Sequence, residues 1–414
     1  MSSPMPPSAM DRPVPPAARS GQSRQTLLAF TLTLATIYAA AGAPTPIYRI
    51  YQELWQVSPV LISLIFAVYA FSLLAALLIA GSLSDHLGRR PLVLAALAVQ
   101  ICAMSTFLIA DGPYWLLAAR ILQGVGTGLA ASSLGAAIVD VDETNGPTIN
   151  SLAPMIGMGL GSLVSGALVS FAPAPTLLVY ALILSLNALQ AVLVWRTRET
   201  VIRRPGALAA LDPRISVPPA ARRTLLHITP FNASLWTLGG FFMSMIPSVV
   251  AQTTGIETPF LGGLMASMLM LSAASAVFTQ RGRCIARLAD IGAAGISLGV
   301  ITLVAGVVLG EIAALVAGTL LAGFGMGASF SSSTRALLPL AAPEERAELL
   351  AAFYVECYLA FSLPAIAAGF LVRNLGFVAT AEIFGAVVLA LNLSGYLLLR
   401  RSHAFARPSL CPAG

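Results

Sequence analysis

Apolar runs close to 20 residues long recur almost without interruption along this chain, and no other feature constrains its fold as strongly. A helix rises about 1.5 Å per residue, so a run of that length crosses a hydrocarbon core about 30 Å thick. Twelve runs fall near 27–48, 60–80, 92–110, 115–139, 149–172, 176–195, 231–254, 259–279, 288–309, 312–333, 349–372 and 378–399. They lack the period-two alternation of a membrane barrel and exceed its strands of about 10 residues, so helices must satisfy the backbone inside the lipid. Composition agrees: 57% of the residues are hydrophobic and 10% charged, against roughly 25% charged in soluble domains. The chain reads as an all-α polytopic membrane protein with twelve transmembrane helices.

The formal charge of +6 does not point to nucleic acid, because the 23 basic residues are all arginine and fall mostly between the runs. Their placement reports topology. With the N-terminus inside, 20 of the 23 lie on the cytoplasmic side; Arg49 and Arg373 face out, and Arg120 lies within the fourth run. Both termini are therefore expected in the cytoplasm. Residues 1–25, rich in Pro, Ser and Ala and without a signal-peptide core, read as a disordered tail, and 401–414 as a second tail. Cys102, Cys284, Cys357 and Cys411 are widely spaced, so neither a disulfide framework nor a metal site is indicated.

One long polar connection, 196–227, carries seven arginines with Pro205, Pro213, Pro218 and Pro219, and divides the chain into six-helix halves, 26–195 and 228–400. An internal repeat supports the division: LQGVGTGLAASS at 122–133 aligns without gaps to LAGFGMGASFSS at 321–332, an offset of 199 residues. Gly124, Gly126 and Gly128 thus fall on Gly323, Gly325 and Gly327. Glycine at these spacings lets membrane helices approach closely, and packing alone accounts for it. Duplicated halves are also what an alternating-access transporter needs, with its site at their interface.

Between the second and third runs, GSLSDHLGRRPL at 81–92 packs Asp85, Arg89 and Arg90 into six residues. Arg89 and Arg90 alone would serve as a positive-inside anchor, but they leave Asp85, Gly81 and Gly88 unexplained. An acid four residues before an arginine pairs with it across a helical turn, and glycine allows a close neighbour or a turn. This stretch resembles the signature loop of the major facilitator superfamily, matched at Gly81, Asp85, Gly88, Arg89 and Arg90. The weaker echo expected after the eighth run reads QRGRCIARLADIG and keeps only Arg281, Arg283 and Arg287. The resemblance implies a cytoplasmic gate in which the acid approaches the start of the eleventh helix. It also implies that the arginine bonds an acid at the inner end of the fourth, the place of Asp140.

Two further stretches resemble patterns of the drug:proton antiporter branch. RILQG in the fourth run places Arg120 and Gln123 on one face, where Arg120 either faces a cavity or snorkels to the outer surface. GMGLGSLVSG at 157–166 is similar to the antiporters' GxxxGPxxGG, with Ser162 in place of proline and Ser165 in place of a glycine. Gly157 and Gly161 there are alternatively packing residues against the other half. AAGAPTPIYRIYQELW, from Ala40, has no role derivable from the residues. The family's cavity, lined by the first, fourth, seventh and tenth helices, would bring Tyr38, Arg120, Gln123, Trp236 and Ser329 to the substrate.

A driven transporter needs a group whose charge changes. Asp290 and Glu382 lie near run ends, whereas Glu356 is about seven residues into the eleventh, near 10 Å deep. Withdrawal from water favours a neutral carboxyl, so Glu356, with Arg120, is the proton-coupling candidate; the alternative is a structural pair of Glu356 with an arginine of the gate. No GxxxxGK[ST] loop occurs, and no HExxH, GxSxG or paired acidic motif lies in the loops between runs, so the chain does not read as a nucleotide-driven pump or an enzyme. No cofactor is expected beyond a proton gradient as energy source. The reading is a monomeric, proton-coupled exporter of a small amphipathic compound in a bacterial inner membrane, with protons, substrate and lipid as partners and no nucleic acid. An importer of a small acid or sugar, with Arg120 as anion ligand, and a membrane enzyme or receptor are the alternatives.

Overall fold

The computed structural model describes residues 16–81, 83–201, 215–342 and 345–401, and among these every regular element is helical. In chain order they are α1 (Pro16–Gly42), α2 (Tyr48–Trp55), α3 (Pro59–Ala80), α4 (Leu83–Leu87), α5 (Arg89–Leu108), α6 (Pro113–Val141) and α7 (Gly146–Phe171). After these come α8 (Leu178–Trp195), α9 (Pro219–Thr254), α10 (Pro259–Thr279), α11 (Ile285–Leu309), α12 (Ile312–Leu337) and α13 (Arg346–Arg401). Helix α13 is two membrane helices joined at Gly376, whose φ of 80° and ψ of 176° break the helical path. The eleventh and twelfth runs are therefore its two arms, and α2 and α4 are short helices at the membrane surfaces.

The start signals are local. Proline opens α3, α6, α9 and α10, where its missing N–H costs nothing, and the Ser58 hydroxyl accepts from Leu61 N at 3.3 Å. Two sequence boundaries shift. Helix α1 already begins at Pro16, inside the stretch assigned to a disordered tail, and residues 1–15 lie outside the described residues. The second half begins at Pro219 and not at 228, because Ala221 is already buried in the core at the start of α9. Residues 202–214 of the linker and the tail from 402 onward lie outside the described residues.

The repeated glycines mark one packing scheme used twice. In α6, a methyl at Gly124 or Gly128 would overlap the carbonyl oxygens of Tyr69 or Leu73 on α3, while Gly126 faces Gln100 on α5. In α12, Gly323 and Gly327 meet the carbonyl oxygens of Leu269 and Ala273 on α10, and Gly325 meets Ile296 on α11. The glycines therefore serve close packing within each half.

The halves meet through α7 against α10 and through α3 against the first arm of α13. Gly159 lies on Met270 and Leu271, Gly166 on Pro259 and Phe260, and Gly369 on Ser63. The apolar core is distributed unevenly along the membrane normal. At the end bearing α2 it is continuous between halves, running from Ile62 and Phe66 to Phe361 and Ala365. At the end bearing α4 it splits into one cluster per half, Phe30–Leu97–Ile138 in the first and Phe231–Leu349–Phe353 in the second. The halves are joined at one face and parted at the other.

Candidate functional site

Between the parted ends lies a cavity of about 650 Å³, within the range of small-molecule sites. Its mouth is at the α4 face, where Pro147, Thr148, Arg281 and Pro339 line it. Its depth is aromatic and thioether: Trp236 has its ring centroid 5.5 Å from Tyr358, 5.9 Å from Phe361 and 6.5 Å from Phe330. Met155, Met158, Met270 and Met326 supply adaptable apolar surface.

Of the five residues expected at the substrate, Tyr38 and Trp236 line this cavity; Arg120, Gln123 and Ser329 do not. Arg120 is 1% exposed, which rules out snorkelling. Its guanidinium lies 4.2 Å from the Tyr69 ring centroid and donates to Gln123 Oε1 at 2.5 Å and to the Ala41 carbonyl at 3.4 Å. Gln123 Nε2 in turn donates to the Ala40 carbonyl at 2.7 Å. The pair thus holds the end of α1, where the helix is about to break, and braces Tyr69 from behind. Ser329 packs against Gly292 in the α11–α12 contact. Tyr69, Tyr354 and Tyr358 are cavity residues that the sequence reading missed, although FYVECYLAF displays two of them.

The GSLSDHLGRRPL loop forms a compact charge cluster. Gly81 ends α3, and Gly88, at φ 102°, makes the corner between α4 and α5. Arg89 pairs with Asp85 at 2.6 Å and with Asp140 of α6 at 3.1 Å, and donates to the Ser84 hydroxyl. Its backbone N–H, at 2.8 Å, and that of Arg90, at 3.5 Å, converge on Glu199 Oε1, while the Arg90 guanidinium lies over the Trp195 ring. The expected Arg89–Asp140 bond is present. Asp85, by contrast, stays within its own half, and among the described residues it makes no hydrogen bond or ion pair with α13. The parted faces leave it nothing to reach.

Glu356 accepts from Thr229 Oγ1 at 3.0 Å and from Asn232 Nδ2 at 2.9 Å, both on α9. Among the described residues, the alternative pairing with a gate arginine is not found. Asp290 is bonded by Tyr396 at 2.7 Å and Arg400 at 3.0 Å, and Glu382 is exposed.

At the opposite face the AAGAPTPIYRIYQELW stretch acquires a role. A single-turn helix, Thr45–Ile47, buries itself between the halves, and Arg49 pairs with Glu53 at 2.9 Å and across the interface with Glu257 at 2.8 Å. Ser162 and Ser165, which replace the proline and glycine of the antiporter pattern, donate to the Gly42 and Ala43 carbonyls at 3.0 and 2.6 Å. Gly157 and Gly161 abut the carbonyls of Ala35 and Ala39 on α1 of their own half, not a helix of the other half. Between halves, Ser170 Oγ and Thr258 Oγ1 stand 3.3 Å apart.

Comparison with known proteins matches this architecture. Residues 28–310 match the Major Facilitator Superfamily. A 96-residue stretch is 29% identical to an uncharacterised MFS-type transporter of Mycobacterium tuberculosis, taking in 22% of this chain and 23% of that protein. A 97-residue stretch is 35% identical to the MFS antiporter QDR2 of Candida albicans, taking in 22% and 19%. The matched segments thus span less than a quarter of these relatives. Among solved structures, the human organic anion transporter MFSD10 (TETRAN) superposes with a TM-score of 0.66 at 16% identity, over 92% of this chain and 100% of that one. A variant of the nucleoside transporter NupG superposes at 0.71 and 11% identity, over 90% and 99%. These likenesses show the fold. The chain belongs to the Major Facilitator Superfamily and has its multi-pass membrane architecture.

Proposed function

We infer that the protein is a monomeric secondary transporter that works by alternating access and exports a small amphipathic compound in exchange for protons. The observation that carries this reading is the single-ended cavity between duplicated halves, lined by aromatic rings and methionines. The arginine distribution supports a bacterial inner-membrane protein with the α4 face and both termini in the cytoplasm. The cavity then opens to the side from which an exporter loads.

In the return state the α4 ends close and the α2 ends part, and Asp85 comes within reach of the start of α13. A carboxylate there gains from the positive end of the helix dipole, enough to bias two conformations close in energy. Glu356 carries the proton in this scheme. Its oxygens are held by neutral donors on α9, so proton binding changes the α9–α13 contact without breaking an ion pair. Arg120, the anion ligand named for the importer alternative, is walled off from the cavity. Proteoliposomes with an imposed pH gradient and a panel of amphipathic compounds test the proposal. Accumulation against the gradient, abolished by a protonophore, is the expected result; accumulation unaffected by the protonophore would contradict proton exchange.

A further inference from the structure

The charges lining the cavity carry information about what it holds. Among the described residues, Arg281 and Arg335 are the only lining side chains with a full charge at neutral pH. Among the described residues, neither forms an ion pair. Arg335 Nη1 donates to the Arg283 carbonyl at 3.2 Å, leaving the other donors of its fork without a protein partner among the described residues, and Arg281 lies over the Phe278 ring at 4.7 Å. Carboxylates are present on the same face, at Asp142, Glu143, Glu345 and Glu348, yet none lines the cavity. Glu356, between the lining Tyr354 and Tyr358, is turned to α9, where Thr229 and Asn232 engage its two oxygens.

A cation entering this space would lose water with no counter-charge to replace it. An anion finds two guanidinia, one of them with an open fork suited to bidentate bonds with a carboxylate. Ring faces attract cations as well, but a full uncompensated charge outweighs a ring quadrupole at similar range. The distances set the size. Arg335 and Phe330 both line the cavity from α12, five residues and about 7.5 Å apart along the axis, and Phe330 meets Trp236 edge-on.

We propose that the cavity selects aromatic monoanions of about two-ring size, with the acid group on Arg335 and the mouth guided by Arg281, and the rings against Trp236, Phe330 and Tyr358. This rests on the transporter reading above and names the substrate class for the same site.

The test is calorimetric binding to the purified full chain in nanodiscs at neutral pH. Three probes of one shape are used, naphthylacetate, naphthylethanol and naphthylethylamine. The acid should bind at least about tenfold tighter than the amine. Arg335→Gln should remove most of that preference while leaving the alcohol within about twofold, and Arg400→Gln, whose arginine pairs with Asp290 outside the cavity, should keep it. Equal or tighter binding of the amine overturns the proposal. So does failure of all three to bind, or survival of the preference in both Arg335→Gln and Arg281→Gln. Because binding is read without transport, the two readings separate: acid-selective binding with no movement across a bilayer refutes the transporter reading alone, and transport with amine-selective binding refutes the substrate class alone.

Discussion

Glu356 illustrates how a side chain's depth along a run can be counted from sequence while its partners cannot. Its depth in the eleventh run was readable by counting residues, but its bonds to Thr229 and Asn232 depend on the rotation of α9 about its axis. Gln keeps the shape and the acceptor toward one donor, and mimics only the neutral acid. Glu356→Gln should therefore lower transport driven by a pH gradient at least about tenfold, while substrate-for-substrate exchange in the absence of a gradient persists. A Gln variant that still concentrates substrate in step with an imposed gradient would assign Glu356 a structural role. Gly161 poses a packing question at the same scale. A Cβ there runs into the Ala39 carbonyl, whereas at Gly112 it meets nothing within 4 Å. Gly161→Val should cost about 1–3 kcal/mol through overpacking and lower the thermal midpoint in detergent, and Gly112→Ala should leave it unchanged.

At the level of helices, the reading from sequence succeeded where one variable decides the answer. Length and hydropathy locate a span, and all twelve runs are helical. Boundaries failed where tertiary contact extends a helix into polar sequence: α9 starts at Pro219 because Ala221 and Ile228 find a buried seat. Facing also failed, since helices apolar on every side give no phase from which to tell cavity from lipid or from a neighbour. Arg120 and Gln123 share a face as expected, but it is the α1 face. Ser162 and Ser165 departed from the family pattern, and their carbonyl bonds to α1 explain why serine serves there. The α4 corner was the most legible element, because Asp85, Arg89 and Gly88 interact within a turn of one another. Among the described residues, Asp85 pairs only within its own half in this state. Asp85→Asn should leave cavity binding intact and reduce turnover more than about tenfold through the missing closed-gate contact; equal turnover at normal expression would remove Asp85 from the gate.

The whole molecule is held by two kinds of closure at opposite ends. At the α2 face the halves share a continuous apolar core, sealed by Thr45–Ile47 and by the Arg49–Glu257 pair; at the α4 face each half closes its own core and keeps its charges to itself. The central claim is that transport requires exchanging these two arrangements. Ser170 Oγ and Thr258 Oγ1, 3.3 Å apart, sit on opposite halves at the sealed end. The decisive measurement is transport by Ser170→Cys/Thr258→Cys, with the four native cysteines replaced by serine, before and after oxidation to a disulfide. The account predicts that the crosslinked protein still binds substrate at the α4 face, stops transporting, and recovers when the bond is reduced. Undiminished transport by the fully crosslinked protein would contradict it.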